Sequence, residues 1–164
     1  MESRTESIRM HCLVVLYDLQ TEFYKSAIDG ISAQDALERL NTKANHVAWL
    51  AGSIVQERYE MIKILGKDVV SSSEELFANH QGIKVDAFYP SLQTYLADWN
   101  KITPLLRSEL VAVTDKKLDE VLTYPEMSFS IYEMLSFDIY REANCIGQIA
   151  LWRRLLGYEP INYM

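Results

Sequence analysis

The sequence is short of the residues that break or staple a chain. Its 164 residues include 6 Gly, 4 Pro and 2 Cys. So few helix breakers disfavour a turn-rich β-fold and leave room for long helices. The cysteines, Cys12 and Cys145, make neither a disulfide framework nor a zinc-finger spacing. Positive charge is also in deficit: 16 Lys and Arg stand against 23 Asp and Glu, for a net charge of −7. That disfavours nonspecific binding to nucleic acid or to an anionic membrane, both of which call for clustered Lys and Arg. No apolar run approaches the length of a signal core or a membrane-spanning helix. No internal repeat is visible, and Ser71-Ser72-Ser73 is too short for a linker. These absences lead us to expect a cytoplasmic protein with reduced thiols, with no nucleic-acid or membrane partner and one domain over 1–164.

What is present is helical periodicity. A first helix is expected from about Glu6 to Ile28, with Leu13, Leu16, Leu19, Phe23 and Ala27 at helical spacing and Gly30 as its stop. For the second, Ser32-Ala33-Gln34-Asp35 resembles a capping box. From there Leu37, Leu40, Ala44, Val47, Ala51, Ile54, Arg58, Met61 and Leu65 recur in steps of three and four, with Gly66 closing. Only Arg58 breaks that apolar seam. Residues 67–89 form a long connection with a short helix near Ser73–Asn79 and an extended piece through Ile83, Val85, Phe88 and Tyr89. A third helix is expected from Pro90, kinked or divided at Thr103 by Pro104. Ser130-Ile131-Tyr132-Glu133 is a capping box opening a fourth helix that ends near Leu156, before Gly157. No segment alternates with period two for long enough to need a sheet. The expected fold is all-α, a four-helix bundle.

Two segments resemble signatures of the DinB/YfiT-like superfamily. Asn45-His46-Val47-Ala48-Trp49-Leu50-Ala51-Gly52-Ser53-Ile54 looks like its second-helix pattern, Asn-x-Ile-x-Trp-x-x-Gly-His-Ile. Arg141-Glu142-Ala143-Asn144-Cys145-Ile146-Gly147-Gln148-Ile149, with Arg153 to Gly157 after it, is similar to the fourth-helix pattern, His-Glu-Ala-x-His-x-Gly-Gln-Ile and Arg-Arg-x-Leu-Gly. The resemblance implies an up-down-down-up bundle whose long crossover joins helices two and three. In metal-binding members three histidines hold a divalent cation, often zinc or nickel. Those positions fall here on Ser53, Arg141 and Cys145, none of them His. Trp49, Gly52, Glu142, Gly147, Gln148 and Leu155 keep the rest of the pattern. Activities in the superfamily include metal-dependent transferases and isomerases that use small thiols, and others are described as metal-dependent hydrolases. Such chemistry needs a Lewis acid, and a guanidinium has no lone pair to ligate one. We therefore expect no cofactor, and neither zinc nor nickel.

The candidate cavity consists of Ser53, Glu57, Asp138, Arg141 and Cys145. Arg141 and Cys145 share one helix face, one turn apart. A buried Arg141 needs a carboxylate, and Asp138, Glu57 or Asp18 could supply it. It then serves either as an anion binder, taking a carboxylate or phosphate, or as an internal ion pair in the metal's place. Cys145 is either a thiol activated by Arg141 or a packed, inert sulfur. His46 lies two turns before Ser53, about 10 Å along a helix, and does not replace a ligand. His11 and Cys12 point to different sides, and His80 reads as a loop histidine. Trp49, Trp99 and Trp152 read as core anchors. Phe88, Tyr89, Tyr132 and Tyr140 could line a cavity mouth or a dimer interface. Arg153-Arg154 suits the end of a helix dipole. The leading expectation is a metal-free protein that binds a small ligand, an anion among the candidates, or a partner through the former metal cavity. The rivals are a metal- or thiol-dependent transferase or hydrolase with a rearranged site, and a structural dimerisation module. A homodimer is expected.

Overall fold

In the computed structural model the described residues are 5–163, with the His80 side chain, an expected loop histidine, outside them. Four long helices dominate: α1 (His11–Ile28), α2 (Val47–Ile64), α4 (Leu92–Ala112) and α6 (Ile131–Leu155), with the short α3 (Glu74–Phe77) and α5 (Asp115–Leu118) between them. The fold is mostly helical. Among the described residues no helix is long and apolar enough to cross a membrane. Each long helix packs on two others: α2 on α4 and α6, α1 on α6 and α4. The core between them holds Trp99, Tyr17, Tyr24, Tyr59, Ile54 and Leu106, all at or below 1% exposure. Trp99 stacks on Tyr24 with ring centroids 4.0 Å apart.

The start of α2 differs from the sequence expectation. Ser32 and Asp35 do pair, with Ser32 Oγ accepting from the Asp35 backbone at 3.0 Å, but they open only a one-turn 3-10 helix, Asp35–Leu37. Leu40 and Asn41 then take left-handed backbone, with φ of 45° and 58°. Side chains compete with helical bonding in this stretch: Thr42 Oγ1 donates to the Arg39 carbonyl and accepts from the Ala44 amide, while Arg39 Nε donates to the Ala44 carbonyl. The periodic residues Leu37 and Leu40 therefore stay about half exposed. The helix begins after His46, whose Nδ1 caps it by accepting from the Trp49 amide at 3.0 Å.

Three further differences are smaller. The first helix opens with a 3-10 turn, Ile8–Met10, rather than at Glu6. Pro104 does not divide α4, which runs unbroken from Leu92 to Ala112. A two-stranded antiparallel ribbon, β1 (Val121–Thr123) with β2 (Ser128–Ser130), precedes α6 in the register Val121↔Ser130. Its three-residue strands are too short to show as alternation in sequence. The capping box that opens α6 is present, both Ser130 and Glu133 taking part.

Candidate functional site

The site grows from the packing of α2 on α6. Ser53 and Glu57 lie one turn apart on α2; Asp138, Arg141 and Cys145 lie on one side of α6. Arg141 reaches across with both ends of its fork. Its Nη1 donates to Glu57 Oε2 at 2.7 Å and its Nη2 to Ser53 Oγ at 3.0 Å. Of the three carboxylates offered by the sequence, Glu57 is the one that meets Arg141. Asp18 does not, because Arg107 of α4 claims both its oxygens, at 2.7 and 2.8 Å.

Burial sets the chemistry here. It pushes the Glu57 carboxyl up to about 8, with Arg141 pulling the other way and Asp138 and Glu142 adding to the rise. The contact with Arg141 favours the ionised form, but burial is the larger effect. Asp138, only 6% exposed, is raised by burial to about 7 against the pull of Arg141. No hydrogen-bond donor among the described residues reaches its carboxyl. The Cys145 thiol is pushed up to about 11, again by burial first and with Arg141 opposing. A thiol in that state is protonated and weakly nucleophilic near neutrality.

Behind this layer lies a second ion pair, which pattern reading missed. Arg58 Nε and Nη2 donate to the two oxygens of Glu142 at 2.7 and 2.6 Å, and both side chains are fully buried. Nη1 donates to Thr103 Oγ1 at 2.7 Å and Nη2 also to Thr21 Oγ1 at 3.0 Å. Each threonine hydroxyl spends its own proton on the backbone carbonyl four residues earlier, of Trp99 and Tyr17, which leaves lone pairs facing Arg58. The guanidinium plane lies between the rings of Tyr17 and Trp99, 3.9 and 3.4 Å from their centroids. The signal in the sequence was Arg58 itself, the single charged residue on an apolar seam.

Other candidates disperse. Phe88 and Tyr140 are exposed, Tyr89 is buried edge-on against His46, and Tyr132 lies under Arg9, so these four do not line one cavity. A groove of about 690 Å³ lies instead along the crossover, between Val70 to Leu76 and Lys84 to Pro90, and shares no residue with the α2–α6 site. Arg153 stands with Arg154 in the last turn of α6, as expected, and its Nε donates to the Glu159 carbonyl just beyond that helix. It also donates to the carbonyls of Ala27 and Asp29, capping α1. Trp99 and Trp152 are buried, whereas Trp49 is half-buried.

Ser53, Arg141 and Cys145 do not fit a divalent cation. Arg141 directs N–H groups at Ser53 and Glu57, so a donor stands where a lone pair is needed. Among the described residues no group of three or more His, Cys, Asp or Glu is placed to hold a metal. Comparison with models of protein families and with curated proteins finds no match to this chain.

Proposed function

We propose that the chain is a divergent, metal-independent DinB-like four-helix bundle, a single domain that binds a small ligand or a partner through the α2–α6 site. One observation carries this reading: Arg141 is held by Glu57 and Ser53. A permanent positive charge thus stands at the position the superfamily gives to a cation, with a carboxyl and a hydroxyl of α2 held against it. Of the two roles open to Arg141, the internal ion pair has the better support. An incoming carboxylate or phosphate meets Glu57 already at the guanidinium. The thiol-dependent transferase or hydrolase has less support, since Cys145 is buried and its thiol is raised. The test is metal analysis of the purified chain after chelation and repletion with zinc or nickel. We expect substoichiometric, weakly held metal; one tightly bound ion per chain refutes the reading.

A homodimer is supported by a separate observation. Where α1 meets α6, Leu16, Leu19, Leu151 and Leu155 are each about half exposed. Leu16 and Leu19 border an apolar depression of about 220 Å³ that includes Phe23, Ile146, Gly147 and Tyr163. An exposed apolar face of this kind suits association. Sedimentation equilibrium should show a dimer that Leu19→Glu converts to monomer. A monomeric parent at tens of micromolar removes this reading.

A further inference from the structure

The depression between α1 and α6 is bordered by a polar group that the fold does not satisfy. Gln20 of α1 is one of its lining residues. That side chain is 6% exposed, and its Oε1 is buried with no hydrogen-bond donor. A buried acceptor left unpaired is costly. The rest of the lining is mainly apolar, and none of its side chains carries a charge. Phe23 and Tyr163 meet there edge to face, with ring centroids 5.1 Å apart. Gly147 of α6 belongs to the same lining. It lies inside a helix, where glycine is less favourable than alanine, yet a Cβ built on it meets nothing within 4 Å. Packing within the chain therefore does not demand glycine at this position. Its effect is to keep the backbone of α6 bare where it borders the depression.

We infer that this depression binds a small uncharged phenol, with the ring against Phe23, Ile146 and the bare backbone at Gly147 and the O–H donating to Gln20 Oε1. The site is separate from the α2–α6 site and shares no residue with it. Size permits this ligand: the depression measures about 220 Å³, and an apolar cavity of roughly 150 Å³ already takes benzene. The terminal torsion of a glutamine is broad, so the amide can turn to meet the O–H without leaving a favoured rotamer. Water suits the place poorly, because a held water wants about two to four polar partners. A charged ligand suits it worse, since no lining side chain offers an opposite charge.

Leu16 and Leu19 border the same depression, so the site adjoins the leucine face of the dimer reading. The two readings explain different things. Association through leucines buries apolar area and leaves Gln20 Oε1 unpaired. A ligand with an apolar ring and one donor buries area and pairs that oxygen as well.

The test is calorimetric titration of the whole chain with p-cresol, toluene and 4-methylanisole at neutral pH, where a phenol keeps its proton. We expect one saturable site for p-cresol, about tenfold tighter than for the other two, which lack the O–H; that ratio is the order of one buried hydrogen bond. Gln20→Leu should bring the three compounds level. Gly147→Leu should fill the depression and abolish binding. Its melting temperature should hold or rise, because the new side chain has room and leucine favours a helix. Absence of saturation by p-cresol overturns the inference. So does equal affinity for p-cresol and 4-methylanisole in the parent, or binding that survives Gly147→Leu. If no compound binds and Gly147→Leu turns a dimer into a monomer in sedimentation, a second copy of the chain fills the depression and the phenol site is refuted.

Discussion

Arg58 of α2 and Glu142 of α6 close on each other through hydrogen bonds of 2.7 and 2.6 Å, with neither side chain exposed to solvent. Their sequence neighbours repeat the pairing with signs exchanged: Glu57 of α2 meets Arg141 of α6 at 2.7 Å. Glu57-Arg58 therefore faces Arg141-Glu142 as two crossed pairs, one at the edge of the helix interface and one inside it. A register slip of one residue between the helices would set like charges together, so the crossed pairs specify how α2 sits on α6. Specificity of this kind is the best-attested use of buried ion pairs.

Removing one partner of the inner pair should be severe. Arg58→Met leaves Glu142 as an uncompensated buried carboxyl and empties the space between Tyr17 and Trp99. We expect a loss of about 3–5 kcal/mol in urea denaturation, the usual cost of breaking a buried pair. Arg58→Met combined with Glu142→Leu should recover most of it, because no charge is then left unpaired. A double variant no more stable than the single one would show that the pair does more than cancel its own burial.

Much of this region was open to sequence reasoning, and the reasons for what was not are physical. Ser53 and Arg141 were brought together by the resemblance to the superfamily's ligand positions, and helical spacing then set Glu57 one turn from Ser53 and Asp138 on the face of Arg141. The choice of Glu57 over Asp18 could not be made, since it depends on Arg107, which arrives from a third helix. Arg58 was visible as a charge on an apolar seam, but its partner lies 84 positions away, beyond any local pattern. The capping box at Ser130 read correctly because both partners lie within one turn. The one at Ser32 misled: its local bonds form, but Leu40 and Asn41 turn left-handed and end the segment. Periodicity carried through Leu37, Leu40 and Ala44 regardless, because a solvent-facing loop can hold leucines at any spacing.

The raised carboxyls give the fold an unusual pH dependence. Asp138 and Glu57 have folded values near 7 and 8, above the ordinary carboxylate range of the unfolded chain. The folded state thus holds protons that the unfolded state has released. Stability from these groups is full below about pH 4 and is lost as pH rises through 7 and 8. Melting temperature should fall between pH 5 and pH 8.5, in contrast to a protein whose carboxylates are depressed. Asp138→Asn and Glu57→Gln should each flatten that slope. A melting temperature that climbs across this interval would contradict the shifts.

The two thiols should separate cleanly in labelling. Cys12 is exposed on α1 and Cys145 is buried, with its thiol pushed up to about 11. Iodoacetamide should modify Cys12 in the native protein at pH 7.5 and reach Cys145 only in denaturant, as peptide mass analysis will show. Fast native labelling of Cys145 would return the thiol-based enzyme to consideration.

Gly52 tests how tightly α2 meets its neighbours. A Cβ built there would stand 2.5 Å from Cζ of Tyr95 and 2.6 Å from Cζ of Phe77. Both distances are shorter than side chains tolerate, and both rings are held in the core, with Tyr95 fully buried. Helix α2 therefore approaches α4 and the short α3 at a point where only glycine fits. Gly52→Ala gains helix propensity but forces these rings to move, at about 1–3 kcal/mol for overpacking. We expect a net loss of stability in thermal melts. Tyr95→Leu added to Gly52→Ala should recover part of that loss, because it removes the nearer ring and leaves Phe77 in contact. Additive effects of the two changes would place the strain elsewhere than between these residues.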